Sequence, residues 1–258
     1  MKLSILIAAL TSRQTMLDQL LSDLASQAAP FGEEVEILVE QDAGQMASGE
    51  KRNRLIRRSQ GRYFAFVDDD DTVSAEYVKT LVEATDLDRH VISFDLERLA
   101  PGRPREVHSF SIWHKDRQRL DKRLIGMRAN HLCAWRRDIG TLISFPSILG
   151  YNDDVFWYDP LLASGRVKTE HHVDAVLYRY KYSPGKSRNQ LAHQLILTRE
   201  WSNGGVPCWD LDGRLFVAVM GQAHYDGLDY VQARDGNGTV YTFGRDGLPT
   251  PYFIARMK

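Results

Sequence analysis

Residues 61–73 read Gly-Arg-Tyr-Phe-Ala-Phe-Val-Asp-Asp-Asp-Asp-Thr-Val. An apolar run of strand length, Tyr63 to Val67, passes directly into four consecutive carboxylates, Asp68 to Asp71. Adjacent like charges repel, so a chain that gathers them at a strand's end either leaves them solvated or holds a cation with them. The run is therefore an acidic turn leading into a helix capped by Ser74, or a hard-cation site made of oxygen ligands. An EF-hand is disfavoured: counted from Asp68, the sixth position is Val73 where glycine is required, and no Glu closes a twelve-residue loop. The other kind of oxygen site leaves positions open for substrate phosphates.

Upstream of this stretch, strand and helix patterns alternate. Leu3 to Ala9 is an apolar run of buried-strand length, and Leu17, Leu20, Leu21 and Leu24 then recur at helical spacing behind Ser12 as a cap. Glu34 to Glu40 is a second strand. Gly49 to Gln60 is a short polar helix, ended by Gly61 in the left-handed position after the last turn. Downstream, Ser74 to Ala84 forms a third helix with Tyr77, Val78, Leu81 and Val82 inward, and Val91 to Phe94 a fourth strand. The βαβαβαβ order predicts an α/β fold with a largely parallel sheet and helices on both faces.

Ligands of such sheets lie beyond the carboxyl ends of the strands. The segments there are Thr11-Ser12-Arg13, Gln41-Asp42-Ala43-Gly44 and Asp68 to Asp71, which should converge on one crevice. Lys51, Arg52 and Asn53 stand at the start of the polar helix, where free N–H groups and the dipole favour an anion. A cation, two bases and a helix N-terminus suit a diphosphate. The competing reading of Lys51 and Arg52 is a solvated face, since Arg54, Arg57 and Arg58 share the helix.

The 258 residues, 43% hydrophobic and 26% charged, suffice for one large α/β domain or two small ones. A net charge of −1 gives no global attraction to nucleic acid or membranes. Two cysteines, Cys133 and Cys208, build neither a disulfide framework nor a metal site, which predicts a reducing compartment. Leu3 to Leu10 is too short for a signal peptide's neighbourhood and feeds straight into a helix pattern. A cytoplasmic location, in a bacterium or a phage-infected host, is expected, with no membrane segment.

Leu3-Ser-Ile-Leu-Ile-Ala-Ala9, Glu36-Ile-Leu-Val-Glu-Gln-Asp42, Gly49-Glu-Lys-Arg-Asn53 and the stretch ending in Asp71 together resemble the GT-A fold glycosyltransferases of the family-2 type. The resemblance covers roughly residues 1–190. It implies that Asp42 contacts the base or ribose of a nucleotide, that Asp68 and Asp70 are an Asp-x-Asp pair, and that Asp70 ligates Mn²⁺ or Mg²⁺ on the donor diphosphate. Thr11, Arg13, Lys51, Arg52, Asn53 and Asp69 complete the implied nucleotide-sugar contacts, a UDP-sugar being the first donor to consider. Two departures stand out: Ala8-Ala9-Leu10-Thr11-Ser12-Arg13 follows the first strand where the family often has Pro and Tyr-Asn, and Gln41-Asp42 replaces a pair of acids.

Gly150-Tyr-Asn-Asp-Asp-Val-Phe-Trp157 resembles the family's Glu-Asp motif, with Asp153 and Asp154 in its two positions. An inverting transfer needs a carboxylate to take the acceptor hydroxyl's proton, and Asp154 is the candidate. The alternative is that Asn152, Asp153 and Asp154 only cap a helix that Pro160 cuts short. The Tyr-rich segment from Leu177 to Tyr182 resembles the part that closes such sites, and His172 or His171 is the candidate third metal ligand.

The implied organisation is a nucleotide-sugar half over 1–100, an acceptor half over 101–190 and an extension over 191–258. Within 101–137 ten bases face three acids, a net of +7. That is a solvated basic loop, or, with Trp113 and Trp135 nearby, a seat for a polyanionic acceptor such as DNA or an acidic glycan. In the last seventy residues Asp-Gly pairs at 212, 226, 235 and 246 punctuate alternating runs, the pattern of β-hairpins. The compact chain also looks like phage glycosyltransferases that decorate hydroxymethylated pyrimidines in DNA, with a cell-surface glycan as the other acceptor. Two further function classes fit the acidic stretch: a haloacid-dehalogenase-like phosphatase with Asp68 as nucleophile, and a sugar- or nucleotide-binding module without turnover.

Overall fold

A computed structural model describes residues 1–100, 102–115, 117–145 and 154–181, and the backbone of 205–209, 215–219, 230–235 and 240–244. The chain opens with β1 (Leu3–Leu10), α1 (Gln14–Ala28), β2 (Val35–Asp42), α2 (Ser48–Arg58), β3 (Tyr63–Phe66), β4 (Thr72–Val73), α3 (Tyr77–Thr85) and β5 (Val91–Leu99). There follow β6 (Glu106–Ser111), β7 (Gln118–Arg119), β8 (Leu124–Arg128), β9 (Ala134–Arg136), α4 (Arg137–Gly140), α5 (Val155–Ala163) and β10 (Glu170–Lys181). β11 (Gly205–Trp209), β12 (Leu215–Val219), β13 (Tyr230–Asp235) and β14 (Val240–Gly244) form a separate antiparallel sheet in sequence order, where the Asp-Gly punctuation places hairpins.

The main sheet runs β2-β1-β3-β9-β5-β6-β8-β7, with β10 joined to β5 and β4. β1 pairs in parallel with both β2 and β3, as the strand–helix alternation requires. The fourth strand, β5, does not follow β3 directly: β9 lies antiparallel between them, pairing Phe64 with Trp135 and Val91 with the same residue. Nothing in Ala134–Arg136 alternates for long enough to announce a strand, and only the vacancy between β3 and β5 selects it. The sheet is thus mostly parallel in its first half and mixed beyond.

Burial explains why these residues form these elements. Leu3, Ile5, Leu6 and Ile7 of β1 and Tyr63, Phe64 and Ala65 of β3 are fully buried, as a central strand covered on both faces demands. Leu17, Leu20 and Leu24 carry α1 onto the sheet, and Tyr77, Val78, Leu81 and Val82 carry α3. Ser12 caps nothing: Thr11–Arg13 is a 3-10 turn, and α1 begins at Gln14 without a side-chain cap. Ser74 likewise offers no side-chain cap, and α3 begins at Tyr77. Pro160 does not end α5, which continues to Ala163. Buried Trp157 and Leu161 hold that helix in place, and one missing N–H is a tolerable loss in so short a segment.

Gly61 works differently from the sequence expectation. It is not in the left-handed region; α2 ends instead on extended Ser59. A Cβ at Gly61 would stand 2.5 Å from Ser4 Oγ and 2.6 Å from Ser4 N, so the glycine lets the chain pass against β1. Its N–H donates to Ser4 Oγ at 2.8 Å, which brings β3 into register beside β1.

Candidate active site

The four acids occupy a turn closed by the Asp71 N–H to Asp68 carbonyl bond of 3.2 Å. They divide by alternation. Asp69 turns inward, accepting from the Leu10 N–H at 2.7 Å and from Arg13 Nη1 at 2.6 Å. Asp71 also turns inward, accepting from Tyr178 Oη at 2.9 Å and the Lys181 N–H at 2.8 Å, while Tyr178 Oη itself accepts from the Asp68 N–H. These two carboxylates fasten the turn to β1 and to β10. Asp68 and Asp70, about a third exposed, face a cleft of about 410 Å³.

One wall of the cleft is Ala8, Leu10, Arg13 and the acidic turn; another is Met46 to Ser48 and the side chains of Lys51 and Arg52. Leu96, Arg98, His108, Phe110, Met127 and Tyr180 form the far wall from β5, β6, β8 and β10. Since α2 begins at Ser48, the free first-turn N–H groups are those of Ser48 to Glu50, three residues before the expected position. The Lys51 N–H already bonds the Ala47 carbonyl. Lys51 and Arg52 therefore contribute through their side chains. Both are nearly buried, which rejects the solvated-face reading.

Lys51 Nζ donates to the Ala9 carbonyl at 2.7 Å and pairs with Asp42 Oδ1. Asp42 also accepts from the Met46 N–H; burial pushes its carboxyl up, but Lys51 and that N–H together hold it below the usual range. Asp42 borders the cleft through Lys51 rather than lining it. Arg52 lies over the rings of Phe66 and Phe145, with Nη2 3.5 Å from Asp68 Oδ1. Arg13 bridges Asp69 and Asp70, at 2.6 Å and 3.1 Å.

Asn53 is not brought to the cleft. Its amide donates to the Phe145 carbonyl at 2.7 Å and accepts from the Phe145 N–H at 2.9 Å, which holds Phe145 stacked on Trp157. Thr11 is exposed on its turn outside the cleft lining. His172 is also elsewhere: on β10 beside Ser93, its ring meets Ser93 Oγ at 3.0 Å and Asp95 Oδ1 at 3.4 Å, with no contact to Asp68 or Asp70. Six residues and two register shifts separate His172 from Tyr178, the residue of the same strand that reaches the acidic turn. Asp153 lies outside the described residues.

Asp154 takes the N-cap position of α5 but makes no side-chain capping bond. Its Oδ2 lies 3.2 Å from Nδ1 of His131, a residue that no sequence pattern singles out. His131 is buried in the loop between β8 and β9, its Nε2 3.8 Å from Asp68 Oδ1. Burial pushes the Asp154 carboxyl up, but His131 and Arg52 outweigh it, so the group is held as a carboxylate. Burial and Arg52 lower the His131 pKa, and Asp154 and Asp68 raise it to a net increase. Asp68 too is held low, burial being overcome by His131, Arg52 and Arg13. Asp70 moves the other way, to about 6, because burial and the neighbouring charges of Asp68 and Asp69 outweigh Arg13.

The cleft sets acids and bases side by side, Asp68, Asp70 and Asp154 with Arg13, Arg52 and His131. Residues 23–140 match the family described as Glycosyl transferase family 2. No curated protein sequence matches the chain. Among solved structures, S. aureus TarS is similar with a TM-score of 0.52 at 15% identity, over 71% of this chain and 37% of that one. TarS 1-349 in complex with UDP gives 0.51 at 17% over 71% and 61%, and the complex with UDP-GlcNAc 0.52 at 14% over 79% and 63%. The chain thus spans less than two thirds of the relatives it resembles. The chain shares the fold of these structures, and its residues 23–140 match glycosyl transferase family 2.

Proposed function

We propose that the cleft transfers a sugar from a nucleotide-diphosphate sugar, a UDP-sugar first, to a hydroxyl acceptor with inversion at the anomeric carbon. The observation that carries this reading is the convergence of Asp68, Asp70, Arg52 and Asp154 on one cleft. Solved relatives that hold UDP and UDP-GlcNAc support the donor.

A divalent ion fits Asp68 and Asp70. Both are open to the cleft, and Asp70, pushed up to about 6 because burial and the charges of Asp68 and Asp69 outweigh Arg13, is a carboxyl that a cation would bring back to its ionised form. Among the described residues no group of three or more His, Cys, Asp or Glu forms a cage. With two carboxylates as ligands, the other positions of Mn²⁺ or Mg²⁺ would go to phosphate oxygens and water. When bound, the ion would neutralise charge developing on the departing diphosphate.

The chain's own residues supply the rest. Arg52, clamped on two rings, presents a guanidinium toward the same side as Asp68. The first-turn N–H groups of α2 favour the diphosphate. Asp154 accepts the acceptor hydroxyl's proton as that oxygen bonds the anomeric carbon and the bond to the nucleotide diphosphate breaks. The acceptor reading is hydroxymethylated pyrimidine in DNA, supported by the exposed Lys115, Arg117, Arg119, Lys122 and Arg123 around edge strand β7.

UDP release from UDP-sugars, measured with Mn²⁺, Mg²⁺ or chelator against hydroxymethylated DNA and a glycan panel, tests each part. Sugar-dependent UDP release that chelator abolishes is expected. Phosphate release from a phosphoester with no use of any nucleotide sugar would overturn the reading in favour of a phosphatase.

A further inference from the structure

The proposed reaction has two halves, and one side chain touches both. His131 Nδ1 lies 3.2 Å from Asp154 Oδ2, and Nε2 lies 3.8 Å from Asp68 Oδ1. The ring is 8% exposed, and no described group gives either nitrogen a regular hydrogen bond; Asp154 and Asp68 face them at ion-pair distance. A buried imidazole without partners is costly, so the two carboxylates account for its presence. The residue is also fastened to the donor side. Its carbonyl accepts from the Phe66 N–H at 3.4 Å and its ring packs on Phe66 at 6.3 Å, in the strand that runs into Asp68.

The base itself has weaker moorings. Asp154 makes no side-chain capping bond to the later turns of α5, and on that helix its carboxyl meets the Val155 N–H. Its helix begins only at Val155. We infer that His131 is a positioning residue: it holds the Asp154 carboxylate at a set place relative to the donor-side turn, so that the acceptor's proton and the departing diphosphate are served from one frame. This rests on the reading of Asp154 as base.

A double-mutant cycle in kcat tests it, with UDP affinity measured on every variant by calorimetry. His131→Asn should lower kcat for transfer by about 10- to 100-fold, since a displacement on the order of 1 Å costs that much. Donor KM and UDP affinity should stay within about twofold, because the donor cleft keeps its own ligands; this split separates positioning from general loss of structure. In an Asp154→Asn background, adding His131→Asn should change the residual rate by less than about twofold, as residues acting as a unit are non-additive. His131→Gln serves as the second probe if the shorter amide fails to fold, UDP binding being the sign of folding.

Losses that multiply would overturn the inference, as would near-normal kcat in both amide variants or a fall in UDP affinity parallel to kcat. Near-normal transfer by Asp154→Asn would remove the base assignment and this inference together. Slow Asp154→Asn with normal His131 variants would sink the inference alone.

Discussion

Asp70 and Asp71 are neighbours with opposite assignments, and substitution should separate them. Asp70→Ala should abolish metal-stimulated UDP release with the fold intact, a loss on the order of 100-fold or more; an unchanged rate would remove Asp70 from the site. Asp71 is fastened by Tyr178 and Lys181, and burial together with Asp68 pushes its carboxyl up to about 8. A carboxyl raised from 3.8 stabilises the fold fully below 3.8, and that contribution is lost as pH climbs through 8. Without divalent ion, melting temperature should fall between pH 6 and 8. Asp71→Asn should remove part of that fall, so the variant's advantage grows with pH; parallel curves would refute the shift. From the run of four acids the sequence showed that carboxylates gather at a strand's end. It did not show which pair faces the cleft, because that depends on what β1 and β10 offer to the other two. His131 was invisible for the same reason: a lone histidine acquires meaning only from the carboxylates that folding brings beside it.

Elements place these residues through a few close contacts. Gly61→Ala would put a methyl into Ser4 and should cost roughly 1–3 kcal/mol, read from urea unfolding. A cost near zero would show that the β1–β3 approach has room to spare. Asn53 ties α2 to Phe145, beneath the ring that Arg52 covers. Asn53→Ala leaves buried main-chain groups unpaired and should cost about 1–3 kcal/mol. It should also weaken UDP binding through Arg52; full stability with normal UDP affinity would refute that chain of support. Helices α1 and α3 and strands β1 to β3 follow from periodicity, whereas β9 does not, since a three-residue strand has no pattern of its own.

At the scale of the whole molecule, β10 returns to the sheet after α5 and closes both the Asp71 anchor and the cleft's far wall. A chain ending at residue 190 keeps that strand. It should bind UDP as the full chain does, and failure to bind would assign residues beyond 190 to donor binding. No helix among the described residues is long and apolar enough to cross a membrane. The expected extension from 191 contains a four-stranded antiparallel sheet. The sequence by itself determined the α/β class, the first strands and helices, and the gathering of acids where the third strand ends. Periodicity and like-charge crowding are local, and local patterns are legible in one dimension. Tertiary structure alone decided that Asp68 and Asp70 face the cleft, that Asn53 and His172 do not, and that His131 lies between Asp154 and Asp68. Those outcomes depend on partners up to about a hundred residues away, and a side chain's partner is set by packing that no single segment encodes.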